Sequence, residues 1–248
     1  MTAGSSSGPA IALLHGGGQG SWVWEPTVLA LEAKGARVLA LDVPGCGAKR
    51  GRDVAGMTVD QVAAELLADI ARWTGDPVTL VGHSLGGVVL TRMAEAAPER
   101  FARLIYVSCA APSPGQTPIA MIGGGVQGAS DSEVGWPVDP ATHSPEQRYR
   151  AMFCNDMAAD EADDFLARLG PDVWPTDAFT RSDWRYDHLA QMAVSYVVLG
   201  RDQALPPAWQ ERFAARVHAD RIARLDAGHQ GMWTRPKALA DVLLAEAG

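Results

Sequence analysis

The residues Gly82-His83-Ser84-Leu85-Gly86 carry the strongest chemical signal in the chain. They form a G-x-S-x-G pattern that follows the apolar run Val78 to Val81 and opens a buried-type helical pattern from Leu85 to Ala97. In that strand-turn-helix setting the pattern presents a nucleophile: so tight a turn tolerates little bulk two residues either side of the serine, and glycine supplies none. Ser84 is the candidate nucleophile.

A serine hydroxyl is a poor nucleophile near neutral pH and needs a base, most often histidine. Of the six histidines, His15 and His83 sit inside turn motifs, His143 and His188 lie in or beside a stretch rich in Pro, Gly and Trp, and His218 falls at a helix end. His229, in "RLDAGHQGMW", lies just past the last apolar strand pattern, where Gly228 and Gly231 leave its loop room to reach Ser84. The base needs an orienting carboxylate, and in a sheet of this class the chain order is serine, acid, histidine. Asp202, after the strand pattern "VSYVVLG", fits that order; Asp226, close to the histidine, and Asp187 are its rivals.

Acyl transfer also needs two N–H donors for the oxyanion. The stretch "LLHGGGQGSWVW" resembles a phosphate loop, but its G-x-G-x-x-G spacing fails at Ser21, and no lysine precedes Lys34 for a P-loop. The expected use is an oxyanion hole built from the Gly17 N–H and the Leu85 N–H, each donor worth about 2.7–4 kcal/mol of transition-state stabilisation.

These residues need a sheet to gather them. Short apolar runs at Ala10–Leu14, Arg37–Leu41, Val78–Val81, Leu104–Val107, Val194–Leu199 and Arg221–Leu225 alternate with helical patterns at Thr58–Trp73, Leu85–Ala97, Trp209–Arg216 and Pro236–Ala247. That alternation predicts an α/β fold with a mostly parallel central sheet flanked by helices. Residues 112–189 break the pattern, with helix-like pieces near Pro145–Met152 and Ala158–Leu169, and read as a small, mainly helical inserted cap. The expected organisation is a core of 9–111 and 190–248, the insertion 112–189, and a disordered leader 1–8.

Composition narrows the function further. With 248 residues and a net charge of −8, the chain can bury a large core and lacks the basic stripe a nucleic-acid surface needs. Three widely spaced cysteines suggest neither disulfides nor a metal site, and no H-E-x-x-H cluster appears, so no cofactor and no metal are expected. No apolar run approaches the roughly 20 residues of a membrane span and no signal peptide is evident, so a cytoplasmic protein with no membrane or nucleic-acid partner is expected; a homodimer stays open.

With these motifs assembled, the chain resembles the α/β-hydrolase superfamily along nearly its whole length. More closely, "LLHGGGQGSWVWEPTVLALEAKGARVLALDVPGCG", "LVGHSLGG", "GRDQALPPAWQ" and "DAGHQGMWTRPKAL" resemble the plant methylesterase and hydroxynitrile lyase group and its bacterial relatives, which include pyrethroid-cleaving esterases. The resemblance implies a Ser84, Asp202, His229 triad and an oxyanion hole from Gly17 and Leu85. The lyase branch typically carries threonine and lysine where this chain has Gly16 and Gln230, so the resemblance leans to the esterase side.

The expected function is cleavage of a carboxylic ester or lactone of an apolar or aromatic small molecule through an acyl-enzyme, with activity falling on acidification as the imidazole takes up a proton. Gly16, Trp136 and Gln230 are the candidate substrate-binding residues. Trp136, Trp174, Trp184, Phe153, Phe165, Phe179, Met121, Met152 and Met157 supply apolar side chains from which the insertion could line a pocket. A lyase or acyltransferase on the same triad, and a ligand receptor on a hydrolase scaffold, are the alternatives.

Overall fold

The computed structural model describes residues 8–248, and in it the six apolar runs pair as one parallel sheet. The strands are β1 (Ala10–Leu14), β2 (Arg37–Leu41), β3 (Val78–His83), β4 (Phe101–Val107), β5 (Val194–Leu199) and β6 (Arg221–Leu225), ordered β2-β1-β3-β4-β5-β6. Residues 1–7 of the expected leader lie outside the described residues. β3 and β4 exceed the expected runs: Gly82 and His83 stay in the ladder opposite Tyr106 and Val107. The turn that carries Ser84 is therefore anchored by paired backbone up to His83.

The helices are α1 (Glu25–Glu32), α2 (Val59–Trp73), α3 (Gly86–Ala96), α4 (Pro118–Ile122), α5 (Pro145–Phe153), α6 (Ala159–Arg168), α7 (Asp177–Thr180), α8 (Pro207–Arg216), α9 (Gly231–Thr234) and α10 (Pro236–Ala247). Helix α2 starts at a capping box, in which the Thr58 hydroxyl accepts from the Gln61 N–H while the Gln61 side chain accepts from the Thr58 N–H.

Side chains of successive strand residues point to opposite faces, and the core divides accordingly. Ala12, Leu14, Leu80, Leu104 and Tyr106 join α2, α3 and Phe213 of α8 on one face. Ile11, Leu13, Val81, Ile105 and Val107 join Leu31 of α1 and Leu239 and Leu243 of α10 on the other. Burial on both faces explains why β1, β3 and β5 read as near-continuous apolar runs.

Topology then places the chemistry. The chain runs from β1 outward to β2 and returns to β3 on the far side of β1, so the loops leaving β1 and β3 emerge side by side at the carboxyl edge. Such a switch point leaves a crevice where ligands bind in open parallel sheets. Between β4 and β5 the sheet gains no strand among the described residues; α4 to α7 fill that stretch, with an isolated bridge between Val126 and Trp136.

Candidate active site

Ser84 has φ +53°, a left-handed conformation that costs a non-glycine residue of order 1–3 kcal/mol and persists only where the surroundings impose it. The surroundings are specific. The Ser84 N–H donates to the Val107 carbonyl at 3.3 Å, and the Ser84 carbonyl accepts from the N–H groups of Gly87 and Ala110 at 3.1 and 3.0 Å. A Cβ on Gly86 would sit 2.7 Å from the His15 carbonyl oxygen, and one on Gly82 would sit 2.9 Å from Leu90 Cδ1. Gly86 is therefore required by space, whereas a side chain at Gly82 would have to displace the end of the Leu90 side chain.

His229 follows β6 and Asp202 follows β5, and the sheet brings both to Ser84. His229 Nε2 lies 3.0 Å from Ser84 Oγ, and His229 Nδ1 lies 2.7 Å from Asp202 Oδ2. Asp202 is buried and fully engaged: its Oδ1 accepts from the N–H groups of Ala204 and Leu205 at 2.7 and 2.8 Å, and its Oδ2 also accepts from the Ser108 hydroxyl at 2.6 Å. Ser108 lies beyond the sequence reading. It directly follows β4, the strand between those that precede Ser84 and Asp202, with φ +41°; a serine just past the end of that strand was the available signal. The rival Asp226 is exposed and pairs with Arg201 at 2.8 Å, and Asp187 lies in a short 3-10 turn before β5.

The glycine turn faces the same point. Gly17 and Leu85 both border the cavity over Ser84, and a Cβ on Gly17 would lie 3.1 Å from Leu85 Cδ2. Among the described residues neither the Gly17 N–H nor the Leu85 N–H has a hydrogen-bond acceptor, which leaves both free for a ligand oxygen. His15 fixes the turn: the Val43 N–H donates to His15 Nε2 at 3.1 Å, so the ring proton is on Nδ1, which donates to the Gly16 carbonyl at 2.9 Å. His83 Nε2–H likewise donates to the His229 carbonyl at 2.9 Å and supports the loop that carries His229.

Burial of His15 and His83 lowers the pKa of both rings, that of His83 well below the usual imidazole value, with nearby His229 adding to the effect on His83. The folded chain therefore binds fewer protons than the unfolded chain once the pH drops below about 6.5, and folding stability is lost as the pH falls from there toward the depressed folded values. Each ring contributes up to about 1.4 kcal/mol per pH unit in that window. Thermal melts are expected to show a falling midpoint from pH 7 to pH 5; a midpoint constant over that range would contradict two neutral buried rings. The thiols carry no comparable chemistry: burial raises Cys109 well above its ordinary value and Cys154 to about 11.

Above Ser84 lies a cavity of about 530 Å³. Of the candidate apolar side chains in residues 112–189, Trp136, Phe153, Phe179, Met121 and Met152 border it. Four others do not. Trp184 and Phe165 are buried in the two cores, Met157 packs against one of them, and Trp174 sets its ring edge-on to His15 at 5.6 Å. Of the three candidate substrate-binding residues only Trp136 borders the cavity. Gly16 is packed against Ser84, where a Cβ would lie 2.9 Å from Ser84 Cβ, and Gln230 is buried without exposure. The one aspartate on the wall, Asp172, is already held by Arg50 at 3.0 and 3.1 Å, the Gly47 N–H at 2.8 Å and the Trp22 indole N–H at 3.1 Å. Among the described residues no cluster of potential metal ligands occurs, and no helix is long and apolar enough to cross a membrane.

A parallel sheet in this order, with a serine on a strained turn after its third strand, is the architecture of an α/β hydrolase. Residues 11–242 match the alpha/beta hydrolase family, and the chain belongs to it. It is 26% identical over 250 residues to polyneuridine aldehyde esterase of Rauvolfia serpentina, covering 94% of this chain and 93% of that one. Among solved structures, a pyrethroid hydrolase from Sphingobium faniae superposes with a TM-score of 0.75 at 23% identity, over 96% of this chain and 97% of the other. An extracellular alpha/beta-hydrolase from a Paenibacillus species gives 0.78 at 22% identity, over 97% and 99%. At those identities the structural likenesses speak for the fold.

Proposed function

We propose that the protein is a serine hydrolase that cleaves a carboxylic ester or lactone of an apolar or aromatic small molecule through an acyl-enzyme. The observation that carries this reading is the Ser84, His229, Asp202 chain, with contacts of 3.0 and 2.7 Å, opening into an apolar cavity beside two unengaged N–H donors. Relatives named as esterases and methylesterases point to the same chemistry.

In the proposed reaction Ser84 Oγ attacks the carbonyl carbon while His229 Nε2 accepts its proton, with Asp202 holding the remaining ring proton on Nδ1. The oxyanion forms against the N–H groups of Gly17 and Leu85. His229 then gives the proton to the leaving alkoxide, and water repeats the sequence to release the acid. The cavity volume suits a small ligand, and no lysine or arginine is among its wall residues to receive an anionic one. The lyase alternative lacks its cation as well, since Gln230 stands where the resemblance implies lysine and does not reach the cavity wall.

Fluorophosphonate labelling with peptide mapping tests the nucleophile, and label anywhere but Ser84 would refute it. A panel of aryl and alkyl esters tests the substrate class. Apolar acyl groups are expected to exceed carboxylate-bearing ones in kcat/KM by at least about tenfold, because a charge entering an apolar cavity without a partner loses its hydration. A preference for the charged esters would overturn the apolar reading, and labelled protein with no turnover of any ester would favour the receptor.

A further inference from the structure

A short run of the insertion, Phe153 to Asp156, touches both loops that carry the acid and base. The Phe153 ring lies over the His229 imidazole, with centroids 5.5 Å apart and planes 24° apart. Asn155 Nδ2 donates to the carbonyl of Arg201, the neighbour of Asp202, at 2.8 Å. Asp156 Oδ2 accepts from the N–H of Gly228, the neighbour of His229, at 2.8 Å and from the Thr234 hydroxyl of α9 at 3.0 Å. The Asp156 side chain is 1% exposed, and its nearest cations, Arg201 and Arg235, stand off at 4.0 Å. Its closest engagements are therefore with the histidine loop.

Gly228 shows how closely the parts fit. A Cβ there would lie 2.5 Å from Asp156 Oδ1 and 2.7 Å from Asn155 Oδ1. Gly228 is not among the residues with positive φ, so the obstacle to a side chain is this contact and not backbone strain. The sheet gives the loops support at their bases, where the Gly200 N–H donates to the Leu225 carbonyl at 2.8 Å and the Arg201 N–H to the Ala227 carbonyl at 2.9 Å. Beyond that point the contacts with the insertion add a second support near His229.

We propose that Phe153 to Asp156 form a brace through which the insertion sets the catalytic geometry, with Asp156 as a positioning residue acting on His229 through Gly228. The inference rests on the triad reading. It makes the insertion part of the catalytic apparatus as well as a pocket wall: Phe153 borders the cavity and stacks on the base, so one segment meets both substrate and histidine. Displacement of a reacting group by about 1 Å can cost about 10²-fold in rate, so loss of the brace acts on chemistry more than on binding.

The test measures kcat and KM on an aryl ester, the rate constant of fluorophosphonate labelling at Ser84, and the melting midpoint. Asp156→Ala is expected to lower kcat and the labelling rate at least about tenfold while KM stays within about threefold, and Asp156→Asn, which keeps an acceptor oxygen, to recover most of the loss. Gly228→Ala is the second variant: by itself it is expected to lower kcat and the labelling rate at least about tenfold with KM within about threefold, which carries the test where Asp156→Ala does not fold, and where that chain does fold it is expected to add less than about twofold to one already carrying Asn155→Ala and Asp156→Ala. A melting midpoint that falls while kcat and labelling rate stay within about twofold of the parent would overturn the brace, as would a Gly228→Ala loss that multiplies undiminished in the braceless chain. Failure of the parent itself to label at Ser84 would overturn the triad, and the brace with it.

Discussion

A Ser84→Ala chain is expected to lose at least about 10⁴-fold in kcat/KM on any ester that the parent turns over, and to take no fluorophosphonate label. The substitution removes one atom, Oγ, and with it the 3.0 Å contact to His229 Nε2. Alanine meets the φ of +53° with the same Cβ that serine has, so the turn carries no added strain. The lost hydrogen bond is worth about 1 kcal/mol, and the melting midpoint is expected to move by only a few degrees. His229→Ala is expected to cost a comparable factor, and the double variant no more than the larger single one, because serine and histidine act as one unit. Residual activity above about 1% in Ser84→Ala, or multiplying losses in the double, would place the nucleophile elsewhere.

Much of this arrangement is legible before any coordinates. Strands buried on both faces announce themselves by near-continuous apolar runs, as β1 and β5 do, and the less buried edge strands β2 and β6 also begin and end at the expected residues. β3 and β4 are longer than their apolar signal for different reasons. Gly82 and His83 look like turn residues yet remain paired, and β4 starts at Phe101 ahead of the charged Arg103. Helices α4, α7 and α9 span only four or five residues, too short to display a period.

The site divides along the same line. Ser84, Asp202 and His229 each sit at a strand end, and a strand end is a local feature of sequence. Ser108 also follows a strand and Asp156 comes from a distant part of the chain, and nothing in a lone serine or a lone aspartate states which neighbour it will find. The aromatic residues between positions 112 and 189 show the limit most directly. Trp136 and Trp174 are alike in type and setting, but one borders the cavity and the other turns its edge to His15, a choice made by packing alone.

Asp202→Asn is the second large effect, and the hydrogen bonds around the carboxylate determine how it arises. Two N–H groups, from Ala204 and Leu205, converge on Oδ1 at 2.7 and 2.8 Å. An amide replacing the carboxylate must turn its oxygen toward those two donors, because its NH2 group cannot accept from them. The NH2 then occupies the place of Oδ2, facing His229 Nδ1 and the Ser108 hydroxyl. Ser108 can reverse its hydroxyl and accept, so the fold adapts at that contact. His229 adapts in the other sense: Nδ1 becomes the acceptor, and the ring proton moves to Nε2, the nitrogen that has to receive the serine proton. The expected result is a fall of about 10⁴-fold in kcat near neutral pH, with the protein folded and KM little changed. Because the block is a proton on the wrong nitrogen, activity is expected to rise with pH as hydroxide in solution takes over the task of the base. A variant with parental kcat, or one whose deficit is the same at pH 7 and pH 10, would show that Asp202 does not set the tautomer of His229.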